Sequence, residues 1–309
     1  MNTERMREFY ERAGYRVAKT AGGDWYVPGN RVYKNFPCGK AVLPTADEIA
    51  GLCRHKGIIG VEFYNTCGIG VESGIWVVRD VSYGLHSLKR QYRQRLLRTL
   101  ERESVREIDF DELFRLGTAA NRESLARLGL DDRRLSDPAS WRRLCTAGER
   151  TPGAGAFASF GPNGLTAYLI YFIAGETCYG LISKSIDAAR EAGSNYALYY
   201  AYTQAMIRRS GIAAVTIGVQ SIPPLEGVDR MKRHAGYHLE PYEVAVFLRP
   251  AARTLVTSAT AALAIRVGER ILGHKDAFRR ARALCHMLHA TEEGSNARDA
   301  QSGARATES

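Results

Sequence analysis

The sequence lacks the features that mark membrane-spanning, secreted and zinc-binding proteins. No stretch approaches the roughly 18 consecutive apolar residues that a membrane-spanning helix needs. The N-terminal segment MNTERMREFYERAGYRV is charged throughout and has no apolar core, so it does not resemble a signal peptide. None of the six cysteines stands in a C-x-x-C pair, and their spacings match no zinc module. We therefore expect a soluble, cytoplasmic protein with free thiols and with no metal or redox cofactor.

Positive charge is the compositional feature that stands out. The chain of 309 residues has 43 Lys and Arg against 33 Asp and Glu, which gives a formal net charge of +10. Its 45% of hydrophobic residues is ordinary for a globular protein, and its length allows two modest domains or one large one. The basic excess favours polyanionic partners such as nucleic acids, nucleotide-bearing cofactors or acidic lipid surfaces.

The first hundred residues alternate helix-like and strand-like patterns. A charged N-terminal helix precedes the strand-like segments DWYVP and NRVYKNFPCG. Thr45 is a candidate N-cap, with Glu48 as its capping-box partner, for a helix that ends near His55. The strands GIIGVEFYN and GIWVVRDVS follow, and from Gly84 leucines and Tyr92 recur at helical spacing between arginines. This is a mixed α/β pattern.

The second half has the order helix, helix, three strands, helix, strand, short helix, strand. The strands GAFASFG and GLTAYLIYFIAGETCYGLISKS are predicted to form an antiparallel meander with turns at GPNG and AGET. The helix NYALYYAYTQAMIRRSG, the strand IAAVTIGVQS, a short basic helix that carries Lys232 and the strand YEVAVFL complete it. Amphipathic helices are predicted over residues 251–291, and a disordered tail over residues 292–309.

This order of elements resembles that of the GNAT acyltransferase fold. The sequence over roughly residues 76–250 resembles the FemAB-like, or BioF2-like, acyltransferases. One shared motif is a helix with spaced arginines that leads into an acidic strand, and another is a helix of small and aromatic residues after a strand that ends in serine. The third is the pair Met231–Lys232 with Gly236, where the family has Phe–Lys and a glycine four residues on. The resemblance implies an α/β (α+β) fold with a mixed, mostly antiparallel sheet flanked by helices. It assigns residues 106–250 to the GNAT domain and residues 1–105 to a divergent N-terminal GNAT-like half.

The activity that this resemblance implies is transfer of an acyl or aminoacyl group from a thioester or ester donor to an amine by direct attack. Such a reaction needs a held donor, a polarised carbonyl and removal of a proton from the attacking nitrogen. In GNAT folds a splayed pair of strands exposes backbone N–H groups to the donor, and the next helix N-terminus meets a phosphate. Here the splay is expected between TCYGLISKS and IAAVTIGVQS, and the helix N-terminus at GSNYAL.

The resemblance also suggests site residues. Lys232 corresponds to a lysine implicated in donor binding or oxyanion stabilisation in the peptidoglycan-bridge members, with a solvated helix lysine as the alternative. Tyr179 is a candidate donor of a proton to the leaving group, with half-buried packing as the alternative. His234 is either a general base or an ordinary surface histidine. The candidate donor-binding residues are Lys184, Ser185, Ser194, Asn195 and Gln220. For Ser185 and Asn195, roles in a turn or as a helix N-cap are the alternative. The candidate acceptor-binding residues are Arg122, for which a solvated helix face is the alternative, and Tyr171, which faces the cleft if the strand register is as expected.

The donor and the partners stay open at this stage. GNAT proteins that use coenzyme A carry a turn of the form R/Q-x-x-G-x-G/A, whereas DAAREAGSNYA has Arg190 and Gly193 but no G-x-G. Acyl-CoA and aminoacyl-tRNA are therefore both candidate co-substrates, with a small or peptide-like amine as acceptor. The arginines of residues 85–106 are either a tRNA-binding surface or a solvated helix face. Residues 251–291 are candidates for a homodimer or membrane-surface contact. The alternative from another class is a non-catalytic GNAT-fold protein that binds RNA or another polyanion.

Overall fold

The computed structural model describes residues 3–29, 31–258 and 281–295. The strands are β1 (Val17–Lys19), β2 (Asp24–Tyr26), β3 (Val32–Phe36), β4 (Gly60–Asn65), β5 (Val71–Val78), β6 (Ser104–Ile108), β7 (Ala154–Gly161), β8 (Gly164–Ala174), β9 (Thr177–Ser185), β10 (Ala214–Val219) and β11 (His238–Leu248). The helices are α1 (Glu4–Arg12), α2 (Ala46–Arg54), α3 (Arg90–Leu100), α4 (Phe110–Leu116), α5 (Thr118–Leu128), α6 (Arg133–Ser136), α7 (Pro138–Arg150), α8 (Ala188–Ala192), α9 (Ser194–Ile207), α10 (Glu226–His234) and α11 (Pro250–Thr257). Residues 281–295 are also helical.

The chain forms two compact units, each assembled from separate segments. Unit 1 consists of Met1–Arg16, Ile75–Gly218 and Glu226–Glu240, and unit 2 of Val17–Gly74, Val219–Leu225 and Pro241–Ser309. The sequence-based division instead set its boundaries at residues 105 and 250. The difference arises because strand pairing joins distant segments, so that Glu243–Leu248 pairs with β4 and belongs to unit 2.

Unit 1 contains the predicted meander. Strands β6, β7, β8 and β9 pair in that order as antiparallel neighbours, and β10 joins β9 in parallel. Helices α1, α5 and α7 pack on one face of this sheet, where Phe172 and Tyr168 point, while α9 covers the face with Leu169 and Tyr171. Two faces covered by helices explain the nearly continuous burial of β8. The predicted single helix over DFDELFRLGTAANRESLARLGL is divided into α4 and α5 at Gly117.

The strands of unit 2 pair in both parallel and antiparallel arrangements. Strands β1, β2 and β3 are antiparallel, β4 is parallel to β3, and Glu243–Leu248 pairs antiparallel with β4. Helix α2 begins with the predicted capping box, since the Glu48 N–H donates to Thr45 Oγ1 over 3.2 Å and the Thr45 N–H donates to Glu48 Oε2 over 2.8 Å. Its Leu52 packs in a core with aromatic side chains of the sheet, among them Trp25 and Phe63.

The two units share a motif of strand, strand, helix, strand. In unit 1 it consists of β8, β9, α9 and β10, and in unit 2 of β2, β3, α2 and β4. In both, the first two strands are antiparallel and the last is parallel to the second. The parallel pairing runs over three residue pairs, Thr177–Tyr179 with Ala214–Thr216 and Val32–Lys34 with Gly60–Glu62. The motif recurs without detectable sequence repetition.

Two further expectations concern the C-terminal region. Residues 292–295 are helical rather than part of a disordered tail, while residues 296–309 lie outside the described residues, as do 259–280 of the predicted amphipathic helices. Helix α11 has an exposed leucine, Leu255, and no buried residue within its described length. Among the helices that the structure describes, none is long and apolar enough to cross a membrane.

Candidate active site in unit 1

Helix α10 buries polar rather than apolar side chains. Its two buried residues are Asp229 and Lys232, which lie three positions apart and therefore on one face of the helix. Lys232 is 8% exposed, although lysine is among the residues least often buried. Burial lowers the pKa of Lys232 from 10.5 to about 8, and the negative charge of Asp229 acts in the opposite direction. A buried lysine with a strongly perturbed pKa is a candidate for a functional role.

Trp76 lies beside this lysine. The Lys232 Nζ atom is 5.9 Å from the centroid of the Trp76 ring. Trp76 is 2% exposed, and within the described residues its indole N–H has no hydrogen-bond partner. A buried donor without an acceptor is costly in a folded protein, which makes this N–H a candidate contact for a bound ligand. The sequence suggested no role for Trp76, because a tryptophan in the apolar strand GIWVV is indistinguishable from a core residue.

The strands β9 and β10 separate after a short pairing. Their parallel register ends at the pair Tyr179–Thr216, yet β9 continues to Ser185. A bulge follows at Leu181, since Gly180 is opposite Tyr171 and Ile182 is opposite Ile170 in β8. Beyond the paired residues, alternate backbone N–H groups of β9 point away from β8 and toward the opening. This is the expected splay, and we call it the β9–β10 opening.

Gly180 is at the base of this opening. A Cβ atom added to it would lie 3.0 Å from the Thr216 carbonyl oxygen and 3.5 Å from the Ile217 Cα. The absence of a side chain therefore permits the two strands to approach before they diverge.

The corresponding place in unit 2 is filled by the chain itself. After the pair Lys34–Glu62, the Asn35 side chain accepts a hydrogen bond from the Tyr64 N–H over 3.0 Å and donates one to the Lys40 carbonyl over 2.8 Å. The Val42 N–H donates to the Tyr64 carbonyl over 2.8 Å. The backbone groups of unit 2 at the position equivalent to the β9–β10 opening therefore form hydrogen bonds within the chain.

Tyr179 and Lys232 lie in different surroundings. Tyr179 follows Cys178, whose side chain lies in the core cluster that contains Trp76, and successive strand residues point to opposite faces. Tyr179 therefore faces away from that cluster, and its phenol interacts electrostatically with Arg79. The structure does not bring these two predicted catalytic residues together.

The N-terminus of α9 already has an anionic partner. The Ser194 hydroxyl is fully buried and donates to Glu103 Oε1 over 2.7 Å. The same carboxylate accepts hydrogen bonds from Ser159 over 2.7 Å and from Thr166 over 3.0 Å. Because Glu103 takes the place at the helix N-terminus that favours negative charge, the predicted role of Ser194 in donor binding does not fit this geometry.

Other predicted donor-binding residues have internal partners. The Ser185 backbone N–H donates to the Ser124 hydroxyl, which itself donates to the Ser185 carbonyl, over 3.0 and 2.8 Å. Asn195 donates to the Ser185 hydroxyl over 3.4 Å. Lys184 is half-buried on β9, and burial lowers its pKa while Asp132 opposes the shift. Lys184 thus lies along the β9–β10 opening, whereas Ser185 and Asn195 bond to each other.

The other predicted residues are scattered. Gln220 belongs to unit 2, where its N–H donates to the Gly74 carbonyl over 2.8 Å. Arg122 is exposed on α5. Tyr171 is 2% exposed and donates to the Glu107 carboxylate, which together with burial raises its pKa. Tyr171 is a core residue, so the predicted contact with an acceptor does not fit. His234 lines a cavity of about 310 Å³ bounded by α3, α9 and α10.

Only part of the predicted arginine surface is available to a partner. Arg95 donates to the Arg190 carbonyl over 2.6 Å and lies over the Tyr196 ring, so it links α3 to α8 and α9. Arg98 and Arg102 are exposed and line a cavity of about 480 Å³ between α3 and α8.

The fold has known counterparts, although no protein-family model and no curated protein matches the sequence. The crystal structure of FemX superposes with a TM-score of 0.52 at 11% identity, over 82% of this chain and 93% of that one. The C-terminal domain of a putative lysylphosphatidylglycerol synthetase from Agrobacterium fabrum superposes with a TM-score of 0.51 at 12% identity, over 84% and 91% of the two chains. These similarities, together with the meander and the β9–β10 opening, confirm the predicted fold, a mixed, mostly antiparallel sheet flanked by helices like that of FemX.

Proposed function

We propose that this protein is an N-acyltransferase that moves an acyl or aminoacyl group from a thioester or ester donor to an amine. The amine nitrogen attacks the donor carbonyl carbon and forms the new C–N bond, the C–S or C–O bond breaks, and the proton lost by the amine is taken up by the leaving group or by solvent. The observation that carries this proposal is the buried Lys232 beside the ring of Trp76, whose indole N–H has no partner among the described residues, in a fold with an open β9–β10 pair.

Lys232 and Trp76 supply the electrostatic part of the reaction. As the amine attacks, negative charge develops on the carbonyl oxygen, and an ammonium and an N–H group in a water-poor site stabilise that charge more than they stabilise the neutral carbonyl. Little reorientation is needed, because Trp76 is part of the core cluster and Lys232 is buried beside its ring. The backbone N–H groups along the β9–β10 opening hold the remainder of the donor.

An aminoacyl ester is the donor class that we favour. A coenzyme A donor presents a pyrophosphate to the helix after the splayed strands, and here Glu103 occupies that helix N-terminus. Phosphates of an aminoacyl-tRNA are instead proposed to meet exposed arginines such as Arg98 in α3 and Arg102 just after it.

Donor binding tests this proposal. Wild-type protein is titrated calorimetrically with acetyl-CoA and with aminoacylated total tRNA, and transfer to a panel of amines is followed with a radiolabelled acyl group. We expect Gly180→Ala to weaken donor binding about tenfold, because the added methyl group enters the base of the opening and costs about 1.4 kcal/mol. Gly51→Ala is the matched control, since a Cβ at Gly51 makes only an ordinary contact of 3.6 Å with Arg54.

The outcomes separate the alternatives. Transfer from acyl-CoA alone would show that acyl-CoA, and not an aminoacyl ester, is the donor. An unchanged donor affinity in Gly180→Ala would contradict the proposal that the donor binds in the β9–β10 opening. Binding of tRNA that weakens steeply with salt, without transfer to any amine, would favour the non-catalytic polyanion-binding function. The exposed Arg98 and Arg102 are the observation that supports that second candidate.

A further inference from the structure

Unit 2 has a cavity of about 290 Å³ on the face of its sheet that points away from α2. Tyr33, Val61 and Phe63 pack toward α2, so the alternate residues Lys34, Glu62 and Tyr64 point to the opposite face. The cavity is lined by Lys34, Glu62, Tyr64, Tyr242 and Val244 from the sheet, by residues 219–223 and Leu225, and by Met287. All of these residues belong to unit 2.

An ion pair lies in the wall of this cavity. The Lys34 Nζ is 2.6 Å from the Glu62 Oε1, and the two side chains are 27% and 16% exposed. Lys34 and Glu62 are the last paired residues of β3 and β4. The contact leaves further N–H donors on the ammonium and further acceptor positions on the carboxylate. The cavity therefore presents one positive and one negative group to a ligand.

Two tyrosines complete the polar wall. The rings of Tyr64 and Tyr242 are 4.8 Å apart at an interplanar angle of 60°. Tyr242 is 4% exposed, and its hydroxyl lies beside Ser73 without a hydrogen bond of good geometry. Burial raises the pKa of Tyr242, which keeps the phenol a hydrogen-bond donor. Aromatic faces also attract cations.

The remaining lining residues are mostly apolar, and hydrogen bonds hold the segment that contains several of them. Ile222, Pro223, Leu225, Val244 and Met287 supply the apolar surface. The segment over the cavity is held in place because the Gln220 N–H donates to Gly74 over 2.8 Å and the Ser73 hydroxyl donates to the Gln220 carbonyl over 3.3 Å. The volume is near the lower end of the roughly 300–1,000 Å³ of typical ligand sites, which favours a small ligand.

We propose that this cavity binds a small zwitterion, either an amino acid with an apolar side chain or a short peptide. Its ammonium group contacts the Glu62 carboxylate and the tyrosine rings, its carboxylate contacts the Lys34 ammonium and the Tyr242 hydroxyl, and its side chain meets the apolar lining. A ligand of single charge leaves either Lys34 or Glu62 without a new partner. The site does not depend on the proposed transfer reaction, because none of its lining residues lies in unit 1.

Three matched probes test the proposal on the full chain. Calorimetric titration with L-leucine is compared with leucinamide, which lacks the carboxylate, and with 4-methylpentanoate, which lacks the ammonium. We expect leucine to bind at least tenfold more tightly than either analogue. Equal binding of leucine and one analogue, or no binding of any probe at millimolar concentration, would overturn the proposal.

Variants then locate the site. Glu62→Gln and Lys34→Met are each expected to weaken leucine binding at least tenfold. Met287→Trp adds bulk to the cavity, leaves both charged residues in place and is expected to do the same, which keeps the test valid if a charge variant folds poorly. Lys232→Ala, in unit 1, serves as the control and should bind leucine like the wild type. Unchanged binding in folded Met287→Trp would show that leucine binds elsewhere and would refute the assignment.

Discussion

Replacement of Lys232 by alanine is expected to lower kcat/KM for acyl transfer by about 10²–10³-fold, the loss typical of removing one oxyanion-stabilising donor. The reason is that Lys232 is 8% exposed and its Nζ atom lies 5.9 Å from the centroid of the buried Trp76 ring, where little water is present. Single-turnover rates over a range of donor concentrations measure the effect and separate it into kcat and KM. A loss confined to KM would mean that Lys232 contributes only binding that is equal in the ground and transition states.

The pH dependence of the rate follows from the same residue. The pKa of Lys232 is about 8, so its positive charge is present below pH 8 and is lost as the pH rises through that value. We expect kcat/KM to fall above pH 8 when the acceptor is an amine whose own pKa lies below the tested range. In Lys232→Arg the guanidinium stays charged, so the fall should disappear. A rate that instead rises through pH 8 would indicate a neutral lysine acting as a base.

Trp76→Phe provides the matched control for this site. It keeps an aromatic ring beside Lys232 but removes the indole N–H that has no acceptor among the described residues. We expect a smaller loss of kcat/KM than in Lys232→Ala, with the pH midpoint near 8 retained. An unchanged rate would remove Trp76 from the proposed mechanism while leaving the role of Lys232 intact.

Replacement of Glu103 by alanine is expected to lower the free energy of unfolding by about 3–5 kcal/mol, because buried hydroxyls lose their acceptor and each unsatisfied group costs about 1–3 kcal/mol. The buried hydroxyls are those of Ser159 and Ser194, and the half-buried Thr166 hydroxyl bonds to the same carboxylate, which thus joins β7, β8 and the start of α9. Urea unfolding followed by circular dichroism measures the change.

Two milder variants test the explanation. Glu103→Gln keeps an acceptor oxygen, and hydroxyl groups rotate to accept from its amide, so the expected loss is only about 1 kcal/mol. Ser194→Ala removes one of the hydroxyls, with a similar expected loss and no change in donor affinity. If Ser194→Ala instead weakens donor binding while stability is retained, the sequence-based assignment of Ser194 to the donor site is right and the structural explanation is not.

The predicted elements agree well with the structure where a local signal exists. The capping box of Thr45 and Glu48, the meander around GPNG and AGET and the alternation of β9 are each encoded within a few residues. The splay between β9 and β10 was likewise expected from the order of elements and the family resemblance. In contrast, DFDELFRLGTAANRESLARLGL has helical periodicity throughout, and its division at Gly117 depends on packing, because a Cβ there would lie 3.0 Å from the Trp141 side chain.

Side-chain environments at the site were much harder to predict. Ser194 and Tyr171 have the chemistry of ligand-binding residues, yet their hydroxyls bond to Glu103 and Glu107, partners 91 and 64 positions away. No sequence pattern predicted a functional role for Trp76 or Asp229, since that role depends on the burial of α10 against the core. A hydroxyl or an indole in a sequence does not reveal which acceptor will meet it.

By itself, the sequence determined the GNAT-like order of strands and helices, the position of the motif lysine Lys232 and the positive net charge, because each depends on local pattern, composition or resemblance. Only the tertiary structure decided which of two similar strand openings stays open and which is filled by Asn35, that Glu103 occupies the N-terminus of α9, and that Lys34 and Glu62 share a cavity. The physical reason is that these outcomes depend on the burial and pairing of groups that are distant in the chain, and no local periodicity encodes such pairing.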